Sequence, residues 1–206
     1  MLFLIMGASG SGKSSSLTGL KQQRPDIDWR DFDDAPKHPT STAERQLTTE
    51  YWLKVATQNQ KIGISTGIVG TIVLGEALAC PSASEIEGVH ALLLDCADVV
   101  RIDRIRARDG SGASCASQEM LCWAAWLRMH ASDPQWRQDV IQSEGALEMN
   151  WRSWSSWNKD DARWNVNVLD NTSLSVEQTT SALVAWANER LICRTNRLTK
   201  IGRFAF

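Results

Sequence analysis

The chain has 206 residues, 43% of them apolar and 22% charged, and a formal net charge of −2. That length and composition suit one globular domain, residues 1–206, with a real core and room for an inserted subdomain. The near-neutral charge argues against a nucleic-acid partner, and no run approaches the roughly 20 apolar residues that a membrane span needs. The five cysteines (Cys80, Cys96, Cys115, Cys122 and Cys193) are scattered and form no CxxC pair, which predicts reduced thiols and a cytoplasmic location. His38, His90 and His130 are too far apart in sequence to suggest a zinc site.

In chain order, Leu2-Phe3-Leu4-Ile5-Met6 predicts a short buried strand rather than a signal peptide. Gly7-Ala8-Ser9-Gly10-Ser11-Gly12-Lys13-Ser14 follows and fits the phosphate-binding pattern G-x-x-x-x-G-K-[ST] at every fixed position. Ser14 to Gln23 reads as a helix that Arg24-Pro25 stops, and Ile27 to Asp34 as a second strand ending in acids. Ser41 or Thr42 can cap a helix running to about Gln60, with Leu47, Tyr51 and Val55 marking one face and Trp52 beside it. Lys61 to Ser65 reads as a third strand ending at Ser65-Thr66-Gly67, whereas Ile68 to Ala79 carries no decisive pattern. Val89 to Asp95 predicts a buried strand, Asp98 to Asp109 a helix closed by Gly110-Ser111-Gly112, and Ser117 to His130 another helix. Gln135 to about Leu147 can form a third helix, Trp164 to Leu169 the last strand and Ser175 to Ile192 the last helix. Strand and helix alternate about five times, which predicts a three-layer α/β/α fold around a five-stranded parallel sheet, with residues 111–160 as a helical, Trp-rich insertion or lid.

The candidate chemistry sits where strands end. Glycines let the amides of Gly10, Ser11, Gly12, Lys13, Ser14 and Ser15 turn inward on a phosphate at a helix N-terminus. Lys13 adds a mobile charge, and the Ser14 hydroxyl is a Mg²⁺ ligand in such loops. Asp31 and Asp33, on one side of an extended segment, can divide two tasks: one holds Mg²⁺, the other accepts a proton from an attacking hydroxyl. A solvated acidic turn is the competing reading. Ser65-Thr66-Gly67 is either a substrate-side loop or an ordinary turn. Arg101, Arg104 and Arg108 share a helix face at spacings of three and four, with Val99, Ile102 and Ile105 largely on another. Such a stripe either stabilises a transferring phosphoryl group or is a solvated charged face.

With these residues in view, the chain resembles the small-molecule kinases of the P-loop, adenylate-kinase-like class, in layout the shikimate and gluconate kinases. The resemblance rests on the octapeptide, Asp31-Phe32-Asp33, Ser65-Thr66-Gly67, Leu94-Asp95 with the Arg104/Arg108 segment, and Val168-Leu169-Asp170-Asn171-Thr172, which looks like the final strand and purine-side loop. It implies a P-loop NTPase architecture and phosphoryl transfer from ATP, with Mg²⁺, to a hydroxyl or phosphate of a small acceptor. It also implies Asp31 as the Mg²⁺-serving acid, Asp33 as the acceptor-activating one, and Arg104 and Arg108 as lid arginines. Two departures leave the acceptor open: Thr66-Gly67-Ile68-Val69 lacks the glycine run of shikimate kinase, and Ser111 to Lys159 is longer than the usual short lid.

Ten tryptophans stand against one tyrosine and four phenylalanines. Trp123, Trp126, Trp136, Trp151, Trp154 and Trp157 are either the insertion's own core, or part of an acceptor pocket or homodimer surface. The basic tail, Arg190 to Phe206, is either a solvated extension or a polyanion contact. Two further functional readings remain open: a nucleoside, nucleotide or sugar-nucleotide kinase, and a nucleotide-binding ATPase or switch that recruits a partner through the Trp-rich segment.

Overall fold

A computed structural model describes residues 1–109, 117–142 and 147–202, excepting the side chains of 109 and 193–202. Strand β1, Leu2–Met6, is apolar and buried at every position. Leu2, Leu4 and Met6 face one layer of core and Phe3 and Ile5 the other, which is why the strand reads as an unbroken hydrophobic run. Each such side chain contributes about 1.5–3 kcal/mol when fully buried. The chain continues through α1 (Lys13–Gln23), β2 (Ile27–Asp31), α2 (Thr42–Lys61), β3 (Ser65–Gly70), α3 (Leu74–Ala79), β4 (Val89–Asp95), α4 (Asp98–Asp109), α5 (Gln118–Ser132), β5 (Val166–Asp170) and α6 (Val176–Gly202).

The five strands form one all-parallel sheet in the order β2-β3-β1-β4-β5. In register, Met6 of β1 lies beside Gly70 of β3 and Leu93 of β4, and Asp95 of β4 beside Asp170 of β5. The carboxyl ends of the strands therefore share one edge. Leu17 and Leu20 of α1 and Leu183, Trp186 and Ala187 of α6 cover one face. Trp52, Leu53 and Ala56 of α2, Ala77 of α3 and Trp126 and Leu127 of α5 cover the other. This is the α/β/α sandwich expected from the alternation. Of the two candidate caps of α2 it is Ser41 that serves, its Oγ accepting from Glu44 N, and Ser117 Oγ caps α5 by accepting from Met120 N.

Four local expectations change. The second strand stops at Asp31, and Phe32–Asp34 turn in a 3₁₀ helix whose first free amide, Asp33 N–H, donates to Asp31 Oδ1 at 3.0 Å. The third strand begins at Ser65, not Lys61, because α2 continues to Lys61 and Gly63 closes it at φ +79°. Ser65-Thr66-Gly67 therefore lies inside β3 rather than after it, and Gly67 is glycine because a Cβ there would meet the Trp29 ring at 2.1 Å. On α2 the expected face is wrong: Leu47 and Tyr51 are about 40% exposed. No α-helix forms over residues 135–142, which hold a turn and the 3₁₀ helix Gln138–Val140. The proposed stop Gly110-Ser111-Gly112, Cys115 and Arg203 lie outside the described residues, as do the side chains of Cys193, Arg194, Arg197 and Lys200.

Among the described residues Trp126, Trp154 and Trp164 are buried in the core below α5, with Trp123, Trp151 and Trp157 packed against it. Trp123 stacks on Trp126 at 5.0 Å, and Trp126 on His130 at 4.4 Å. Apart from Trp136, which is exposed, these tryptophans are core or packed against it, and no tryptophan lines the cleft described next.

Candidate active site

The turn after β1 builds the site. Gly10 and Gly12 take φ +76° and +89°, a region that costs a side-chain-bearing residue energy and costs glycine little. Gly12 is the N-cap of α1 and offers no side-chain oxygen, so no cap competes with a ligand for the first amides of the helix. These glycines open into a cleft of about 580 Å³ along the carboxyl ends of the strands. The cleft gathers Gly10, Gly12, Lys13, Ser14 and Ser15 from the loop, Asp31 and Asp33 from beyond β2, and Arg104 and Arg108 from α4. Ser11 lies beneath the loop, fully buried.

Lys13 is buried, and its Nζ donates to Ala8 O at 2.9 Å. Burial, reinforced by the nearby Arg101 charge, lowers its pKa to about 8 against the opposing pull of Asp31 and Asp33. Ser14 Oγ donates to Asp31 Oδ2 at 3.1 Å, which sets two hard oxygen donors side by side at the loop mouth. That pair fits Mg²⁺, a cation that takes oxygen ligands and needs only one or two from the protein. Asp33 stands beside it, its side chain about half exposed, with His38 Nδ1 3.7 Å from Oδ1. Partial burial and the Asp31 charge push the Asp33 carboxyl above the ordinary range, with His38 and Lys13 opposing.

The arginine stripe of α4 divides by depth. Arg101 is fully buried; it donates from Nη1 to Ser9 O at 2.9 Å and from Nη2 to Asp95 Oδ1 and Cys96 O. It braces the loop from behind and does not face the cleft. Ile105 is buried on the same side, whereas Val99, expected with it, is 69% exposed. Arg104 is half-buried and donates from Nη1 and Nη2 to the side-chain and backbone oxygens of Asn171, both at 2.9 Å. Arg108, further along the same face, is exposed at the cleft.

Residues that sequence reasoning misjudged complete the walls. Gly70 and Thr71, at the true end of β3, take the place expected of Ser65-Thr66-Gly67. Asn171 is buried and joins three elements: its Nδ2 donates to Ser11 O at 2.9 Å, its N–H to Asp95 O, and its oxygens accept from Arg104. Leu174, Val176 and Thr179 extend the cleft beyond it. Arg128 of α5 was not anticipated: it donates to both Asp95 and Asp98, which raises its pKa, and so ties the Trp-rich segment to the support of the loop.

No family model and no curated protein matches the sequence. Solved structures do match its fold. A sugar kinase from Janibacter sp. HTCC2649 superposes with a TM-score of 0.57 at 16% identity, over 91% of this chain and 94% of that one. A gluconokinase from Sinorhizobium meliloti 1021 superposes with a TM-score of 0.54 at 15% identity, over 93% and 95%. The chain has the fold of the P-loop kinases, with the five-stranded parallel sheet and flanking helices of that class. No helix among the described residues is long and apolar enough to cross a membrane.

Proposed function

We propose that the protein is an ATP-dependent kinase that transfers a phosphoryl group to a hydroxyl or phosphate of a small molecule. The observation that carries this reading is the contact of Ser14 Oγ with Asp31 Oδ2 at 3.1 Å, with Asp33 in the same cleft as Lys13. A mere nucleotide switch needs the first pair but has no use for a second, half-buried acid with a raised pKa. The fold shared with a sugar kinase and a gluconokinase supports the same class.

In this reading the amides of Gly10 to Ser15 and the Lys13 ammonium hold the phosphates, and the wall of Leu174, Val176 and Thr179 takes the nucleoside end. Ser14 and Asp31 would hold Mg²⁺, which neutralises phosphate charge when bound. Asp33 takes the acceptor's hydroxyl proton as the acceptor oxygen bonds to phosphorus. The bond from phosphorus to the bridging oxygen breaks, and its electron pair leaves on ADP. Arg108 and, once released from Asn171, Arg104 clamp the transferring group. A cytoplasmic location belongs to the same proposal and rests on the five scattered cysteines, which form no CxxC pair.

Asp33→Asn tests the assignment. It should leave ATP affinity within a factor of about two and lower turnover of an active acceptor by 10²–10⁴-fold. Acceptors are first found by screening polyols, sugars and nucleosides for ATP consumption. Unchanged turnover in the variant would remove Asp33 from the chemistry.

A further inference from the structure

A second cavity lies at the opposite edge of the sheet, where β4 and β5 begin. It has a volume of about 260 Å³ and shares no lining residue with the cleft. Its polar wall is His90, Arg163, Asn165, Asn167 and Arg190; Leu78 and Ile86 form part of an apolar floor. No carboxylate lines it among the described residues.

The two arginines are held differently. Arg163 donates from Nε and Nη2 to Asp161, at 2.9 and 2.6 Å, and its guanidinium lies 4.6 Å over the Trp157 ring. Its charge is matched, and its position fixed. Arg190 is half-buried; its Nη2 donates to Asn167 Oδ1 at 2.8 Å, and no carboxylate pairs with it among the described residues. The same Asn167 oxygen accepts from Trp186 Nε1 at 3.0 Å, which orients the amide so that its NH₂ is left to donate. The cavity thus holds one uncompensated positive charge, amide donors beside it, and a greasy floor.

We propose that this cavity binds a small organic monoanion, a carboxylate with an apolar body. A single surplus charge matches a carboxylate better than a phosphate monoester, which carries about −1.5 to −2 at neutral pH. The volume falls just below the roughly 300–1,000 Å³ of ordinary ligand pockets, so the ligand is of metabolite size. The carboxylate bridges Arg190 and the Asn165 and Asn167 amides, and its chain lies on Leu78 and Ile86.

Calorimetric titration with hexanoate, on the full chain saturated with ADP so that the cleft is filled, tests this. One saturable site is expected, with Arg190→Gln weakening it about tenfold or more while ADP affinity is unchanged. Asn165→Leu should weaken it as well, and hexan-1-ol, with the same tail and no charge, should bind at least tenfold more weakly. If Arg190→Gln loses ADP binding through misfolding, Asn165→Leu carries the comparison. Absence of saturable binding, displacement by ADP, equal binding of the alcohol, or wild-type affinity in the folded variants would overturn the assignment.

Discussion

Lys13 sits in a cradle that disfavours its own charge. Burial and Arg101 lower its pKa to about 8, so in the free protein the ammonium is lost as pH rises through that value, well below the 10.5 of an ordinary lysine. ATP binding needs the charged form. Affinity measured by calorimetry at constant Mg²⁺ should therefore be flat from pH 6.5 to 7.5 and fall by roughly tenfold by pH 9 to 9.5, with Lys13→Met lacking this dependence. A wild-type profile as flat as the variant's would remove Lys13 from the phosphates. The loop itself was legible in the sequence because it is a local feature: eight consecutive residues and their flanks contain all that the backbone needs. Asn171 was not, beyond its place in a resemblance. Its importance comes from three partners distant in sequence, Ser11, Asp95 and Arg104, that only the sheet order brings together. Arg101 misled for the same reason, since spacing places a residue on a helix face without saying whether that face meets solvent or the carbonyl of Ser9.

At the scale of elements, the errors share a cause: the buried surface was not where apolar periodicity points. On the first half of α2 the inward face is polar, and Trp52, Leu53 and Ala56 follow it into the core. Gln46 Nε2 donates to Ile141 O, Thr49 Oγ1 to Glu76, and Glu50 accepts from both Ser82 N and Ser82 Oγ. These groups are buried because each has a partner, and the apolar Leu47 and Tyr51 are left outside. In β3 the glycines mimicked turns. Gly67 instead makes room for Trp29, and Gly70 for Phe32. Gly67→Ala would drive a methyl to 2.1 Å from the Trp29 ring, which is itself buried between β2 and α1 and cannot simply swing out. Overpacking of this kind costs about 1–3 kcal/mol, so the urea midpoint should fall with little change in slope. A variant as stable as wild type would mean that β2 and β3 are less closely packed than their glycine implies.

For the molecule as a whole, the aromatic core joins the Trp-rich segment to the sheet, and His130 is at its centre. The ring stacks on Trp126 and meets Trp154 and Trp164 edge-on at 5.9 and 4.9 Å. It is buried, and neither ring nitrogen has a well-formed hydrogen-bond partner. Burial lowers its pKa from 6.5 to about 4, against weaker opposing effects of Asp133 and the Trp136 backbone. Between those values the unfolded chain binds a proton that the folded chain does not, so stability is full above pH 6.5 and declines as pH falls towards 4. A difference of this size corresponds to a loss of about 3 kcal/mol across the window. The chain holds two other histidines, His38 and His90, so the comparison has to be made against a variant that changes only the buried ring. His130→Phe keeps an aromatic body among the tryptophans and removes the titration. Urea unfolding at pH 7, 5.5 and 4.2 should show the wild type losing about 2–3 kcal/mol more than the variant over that range. Parallel losses in the two proteins would place the histidine in contact with water, and the segment that carries it would then be a loosely apposed lid rather than part of one continuous core.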